Sequence, residues 1–160
     1  MSAPASPSAM RMLAVVLATG GGAGYSPIAP GTCGSLVALP LLPALASLRE
    51  RSLVLYLGLV AAVVVGAVWS AGKAEIVFGH DSGRIVVDEV AGMVVTGLFL
   101  PATWLAAVLG FVAFRIFDVL KPPPAGAIDR GLAGGLGVVG DDLVAGVYAG
   151  IVARIVLEAT

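Results

Sequence analysis

Charge is what this chain has least of. Only 12% of its residues are Asp, Glu, Lys or Arg, while 59% are hydrophobic; ordinary soluble domains carry about 25% charged residues. A chain of 160 residues with this balance reads as one domain by length and as a polytopic membrane protein by composition. The formal net charge is -1, so no basic excess exists to attract nucleic acid. Cys33 is the single cysteine, which excludes an internal disulfide and any cysteine-based zinc site. His80 is the single histidine, so chemistry that needs two imidazoles is excluded as well.

What the chain has in abundance is uninterrupted apolar sequence. Residues 53–72 are twenty positions without a charge, about the length that crosses a hydrocarbon core of roughly 30 Å as a helix. Residues 90–114 are also uncharged but too long for one crossing, and Pro101 divides them into two helices joined by a tight turn. Each half is short, so each is expected to extend into its flanking charged cluster. A last span covers residues 143–157, interrupted only by Arg154, which can snorkel to an interface. Upstream, residues 33–48 read as a helix kinked by Pro40 and Pro43, and residues 12–19 as a helix short enough to be re-entrant. The first ten residues, without a charged side chain, read as a disordered start before a single membrane-embedded domain over 11–160. The expected architecture is therefore all-α, a polytopic helical bundle with kinked N-terminal helices.

The few charges are not scattered. Thirteen of the nineteen lie between Lys73 and Asp142, eight acidic and five basic, for a local charge of -3. Asp88-Glu89, Asp118 and Asp141-Asp142 each stand at the mouth of an apolar run, and counting spans returns all three clusters to one side of the membrane. That side also carries Lys73, Arg84, Arg115, Lys121 and Arg130, against Arg49, Arg51 and Arg154 opposite. The bias of basic residues directs it to the cytoplasm. Acids beside a bilayer are costly unless paired, hydrated or bound to a cation, and carboxylate oxygens suit Mg²⁺, which keeps several waters and uses few protein ligands. The competing reading is an acidic membrane surface paired with its five basic neighbours, or acids capping helix N-termini.

Arg115, Asp118 and Lys121 follow at three-residue steps, a polar stripe along one helix that Pro122 terminates. An acid for a metal between two cations is a compact holder for a phosphoester and its ion. The loop 20–35, GGGAGYSPIAPGTCGS, offers backbone N–H groups and the hydroxyls of Thr32 and Ser35, which could cradle a phosphate or simply cap a helix. No Cys-x5-Arg follows from Cys33 and no Asp-x-Asp occurs, so a thiolate or aspartyl-phosphate route has no residues to run on. Water activated by a bound cation remains, with the acids as ligands and base, His80 as an aid to proton transfer, and the Thr32 hydroxyl as the rival nucleophile.

Several ordered motifs carry a resemblance. Ser26-Pro-Ile-Ala-Pro-Gly-Thr-Cys-Gly-Ser35, His80-Asp81 with Ile85-Val-Val-Asp-Glu89 and Gly92-Met93, Phe114-Arg-Ile-Phe-Asp118 with Lys121-Pro122, Asp129-Arg130, and Gly134-Gly-Leu-Gly137 with Asp141-Asp142 and Ala145-Gly146 together resemble the phosphatidylglycerophosphatase A family from about Leu13 to Ile155. The resemblance implies a bacterial, Mg²⁺-dependent enzyme of the inner membrane that converts phosphatidylglycerophosphate to phosphatidylglycerol. It implies Asp88, Glu89, Asp118, Asp141 and Asp142 as the matching acids, expected to hold the metal. Arg115, Lys121, Arg130, Thr32 and Ser35 are expected at the substrate phosphate, with Asp81 and Asp129 supporting the ligands from behind. Two other classes compete: a CDP-alcohol phosphotransferase, whose Asp-x2-Asp-Gly-x2-Ala-Arg motif is absent, and a small cation transporter, which would hold its ions nearer the midplane.

Overall fold

The computed structural model describes residues 9–79 and 82–159, and of Asp129 and Arg130 the backbone alone. Every regular element among them is helical: α1 (Ala9–Ala18), α2 (Pro30–Ala38), α3 (Leu41–Arg51), α4 (Leu53–Phe78), α5 (Val87–Thr96), α6 (Trp104–Leu120), α7 (Ala125–Gly131) and α8 (Gly135–Glu158), with a glycine-rich turn at Gly20–Tyr25. Three stretches, Pro30–Arg51, Leu53–Phe78 and Gly135–Glu158, are long and apolar enough to cross a membrane. Of the start expected to be disordered, Ala9 and Met10 already belong to α1, and the rest lies outside the described residues.

Proline and small polar residues set the breaks. Pro30 opens α2, where a missing N–H costs nothing. Pro40 separates α2 from α3, the kink anticipated between residues 33 and 48. The Ser52 hydroxyl accepts from the Leu55 N–H at the start of α4, and the Thr103 hydroxyl from the Ala106 N–H at the start of α6. Pro101 lies in the turn between α5 and α6, so these two form the expected hairpin. Both reach into the charged clusters, α5 taking Asp88 and Glu89 and α6 taking Arg115 and Asp118.

Helix α8 is the axis of the bundle, with α4, α5, α6 and α7 packed around it. Small residues make the approach close: a Cβ on Gly92 of α5 would strike the Phe114 ring and the Asp142 carbonyl, and one on Gly146 of α8 would strike the Gly92 carbonyl. Around that contact lie Met93, Leu100, Phe114, Ala145 and Ala149, all buried. Two boundaries differ from the apolar runs. Helix α8 begins at Gly135, not 143, because Gly135 sits against the Val68 carbonyl and Gly137 against that of Leu132, contacts that outweigh glycine's poor helix propensity. Helix α4 runs through Lys73 and Glu75 to Phe78, its inner face sealed by Ala67, Ala71 and Ala74.

Candidate active site

Three helices deliver the acids to one place. Asp88 and Glu89 occupy the first turn of α5, Asp118 the last turn of α6, and Asp141 and Asp142 the second turn of α8. Because α8 starts six residues before Asp141, the pair is not an N-terminal cap, and helix capping does not account for it. All five acids and Lys121 line one cavity of about 320 Å³. Oxygens of Asp88, Glu89 and Asp142 lie within 4.8 Å of one another. Asp118 is a close enough neighbour to interact with both Glu89 and Asp142.

The cations are engaged with the same acids. Arg115 Nη1 lies 2.6 Å from Asp118 Oδ2, one turn along α6, and donates to Ser35 Oγ at 3.4 Å. Ser35 is fully buried in α2 and in turn donates to the Gly31 carbonyl at 3.0 Å. Lys121 Nζ lies 2.7 Å from Asp141 Oδ2, bridging the end of α6 to α8. Lys121 holds a left-handed backbone, φ 45°, where the chain leaves α6 toward Pro122. The Tyr148 hydroxyl of α8 fastens the next residues by donating to the Pro123 carbonyl at 2.7 Å.

Among the described residues that line the cavity, five acids face one cation, Lys121. Asp88 Oδ1 and Glu89 Oε2 are buried and have no hydrogen-bond partner among the described residues. A buried charge without a partner is costly, and a hard divalent cation removes that cost through oxygen ligation. The donor set of Asp88, Glu89 and Asp142 therefore fits Mg²⁺, all-oxygen and clustered, with two oxygens uncommitted.

Of the other residues singled out in the sequence, Thr32 stands in the first turn of α2, next to Gly31, where a Cβ would meet the Glu89 carboxylate. The glycine-rich loop thus brings α2 against the acids. Ser35 is reached through Arg115. His80 and Asp81 lie outside the described residues, as do the side chains of Asp129 and Arg130. Ile85, which also lines the cavity, opens the Ile85-Val-Val-Asp-Glu89 motif, whereas no local pattern marks Val138, another lining residue, nor Tyr148 as a fastener. Gly137, a third lining residue, falls within the Gly134-Gly-Leu-Gly motif.

The sequence has counterparts among known proteins. The family model described as "Phosphatidylglycerophosphatase A" matches residues 16–157. A "Phosphatidylglycerophosphatase A" of Escherichia coli is 44% identical over 139 residues, covering 84% of this chain and 77% of that protein. A Bacteroides thetaiotaomicron protein named "Putative phosphatidylinositol-3-phosphatase" is 39% identical, over 86% of this chain and 89% of its own. A Haemophilus influenzae "Phosphatidylglycerophosphatase A" is 36% identical, over 86% and 84%. No solved structure gives a significant match.

Proposed function

The chain belongs to the phosphatidylglycerophosphatase A family, and from that premise we propose that it is a Mg²⁺-dependent phosphatase of the bacterial inner membrane. Its substrate is phosphatidylglycerophosphate, its product phosphatidylglycerol, and its site faces the cytoplasm. The observation that carries the reading is the trio Asp88, Glu89 and Asp142, with two buried oxygens uncommitted, beside the Lys121 ammonium in one cavity. The surplus of Lys and Arg on the site's side supports the orientation.

Asp88, Glu89 and Asp142 would hold the cation, which when bound supplies positive charge beside the transferred phosphoryl group and acidifies nearby water. Lys121 and Arg115 receive the substrate phosphate, exchanging some of their contact with Asp141 and Asp118 for phosphate oxygens. Arg115 is kept on station by Ser35. A carboxylate of the set takes the proton from the attacking water, and the glycerol oxygen leaves with phosphate freed. Attack is direct, without a phosphoryl-enzyme, since one histidine, a lone cysteine and the lack of an Asp-x-Asp pair leave the acids best used as ligands and as a base for water.

Phosphate release from purified protein in lipid–detergent micelles, with and without Mg²⁺, tests the reading. Release from phosphatidylglycerophosphate that a chelator abolishes is expected. Preference for phosphatidylinositol 3-phosphate would move the substrate toward the name its Bacteroides relative bears. A chiral phosphate distinguishes the routes: direct attack inverts configuration, whereas transfer through Thr32 restores it.

A further inference from the structure

A lipid phosphomonoester has to accommodate two unlike ends at once. Its headgroup belongs in the acid-lined cavity, and its acyl chains do not, because the walls there are mostly polar. The chains need an apolar path that begins at the site. Three further hollows stand out among the described residues. One, lined by Met10, Arg11, Trp69, Lys73 and Ile76, lies between α1 and α4 and shares no residue with the site. Another, between α3 and α4, is lined by Leu41, Leu45, Leu48, Leu59 and Val63, and shares none either.

The third is different. It is a furrow on α6 formed by Phe111, Val112, Arg115, Ile116, Val119 and Leu120. Arg115 belongs to it and also makes the ion pair with Asp118, which lines the catalytic cavity. The rest of the furrow is hydrocarbon, with Val112 49%, Ile116 51%, Val119 73% and Leu120 68% exposed. From Leu120 back to Phe111 it runs about 13 Å along the helix, at 1.5 Å per residue. Polar stripe and apolar furrow are thus two sides of one helix, joined at Arg115.

Resting on the functional reading above, we propose that an acyl chain of the substrate lies along this α6 furrow, so that the lipid enters sideways from the bilayer and turns its phosphate into the cavity past Arg115. The furrow then selects for substrates that carry a long chain, whatever their headgroup.

Two measurements test it. The wild-type protein is irradiated with a phosphomonoester lipid bearing a diazirine midway along one acyl chain. Labelling concentrated on α6, around Val112 to Val119, supports the proposal, and labelling spread evenly over the lipid-exposed faces of α4 and α8 overturns it. The second uses Ile116→Trp, which fills the furrow without touching the acids. Its kcat/KM on dioleoyl phosphatidylglycerophosphate should fall by about tenfold, while that on the dihexanoyl form changes less than about twofold. Equal losses on both, or no loss on either, overturn the proposal. If the wild type releases phosphate from neither lipid, the headgroup assignment fails, and the labelling pattern still decides the furrow.

Discussion

The two ends of the bundle treat buried polarity in opposite ways. At the end away from the acids, Arg49 of α3 donates to the Leu98 carbonyl at 2.7 Å and to the Leu100 carbonyl at 2.8 Å, clamping the Pro101 turn. Its guanidinium also lies 5.9 Å from the Tyr56 ring centre, and the one buried side-chain polar atom left over there among the described residues is the neutral Tyr56 hydroxyl. At the other end, two carboxylate oxygens remain uncommitted in a crowd of acids. Helix ends that only need to stay folded satisfy their groups internally. The end that keeps unsatisfied charge is the one built to receive something.

That contrast can be broken most forcefully at Asp88. Asp88→Asn removes a carboxylate from the proposed cation site and should cut phosphatase activity by about 100- to 1,000-fold. Thermal unfolding without added divalent cation should begin no earlier than in the parent, because a carboxylate leaves a like-charged cluster. An Asn variant that unfolds early while keeping its residual turnover would make Asp88 a structural residue instead. Next comes Lys121→Gln, which removes the cation proposed to receive the substrate phosphate and should lower kcat/KM roughly 10- to 100-fold while the response to added Mg²⁺ stays as in the parent. Kinetics identical to the parent would confine Lys121 to tying α6 to α8.

The reverse pattern is expected at the far end. Arg49→Gln gives up two charged hydrogen bonds and should cost about 2–3 kcal/mol of stability, read as a lower Tm, with kcat close to that of the parent. A loss of turnover without a loss of Tm would mean that the Pro101 turn communicates with the site. The smallest effect belongs to Tyr148→Phe, about 1 kcal/mol from one neutral hydrogen bond, accompanied by a higher KM if the Pro123 anchor steadies Lys121 for substrate. KM unchanged at the lower Tm would detach the anchor from binding.

Much of this was legible in the residues. Uncharged runs gave the long helices and Pro101 gave the hairpin, because a long apolar stretch can satisfy its backbone hydrogen bonds within itself as a helix. The acids could be assigned to one side by counting crossings, and the structure gathers them. Less legible was the stretch Gly134-Gly-Leu-Gly, which locally resembles a loop. From Gly135 onward it is helical, because Gly135 and Gly137 fit against backbone that no local pattern reveals. The pairing of Lys121 with Asp141 was equally out of reach, since it joins residues twenty apart through the packing of α6 on α8. Arg49 showed only as a charge at a turn, although its real partners are carbonyls some fifty residues away.

The contact between Gly92 and Gly146 has a consequence for the acids above it. Helices α5 and α8 meet there backbone to backbone, one carrying Asp88 and Glu89 and the other Asp142. Abutting main chains cannot come any closer, whatever the side chains do. The contact therefore acts as a stop between two jaws: α5 and α8 cannot close further on a small guest, and only the carboxylate side chains can turn inward to meet it. A methyl group added at either glycine should thicken the stop and spread the jaws without touching an acid.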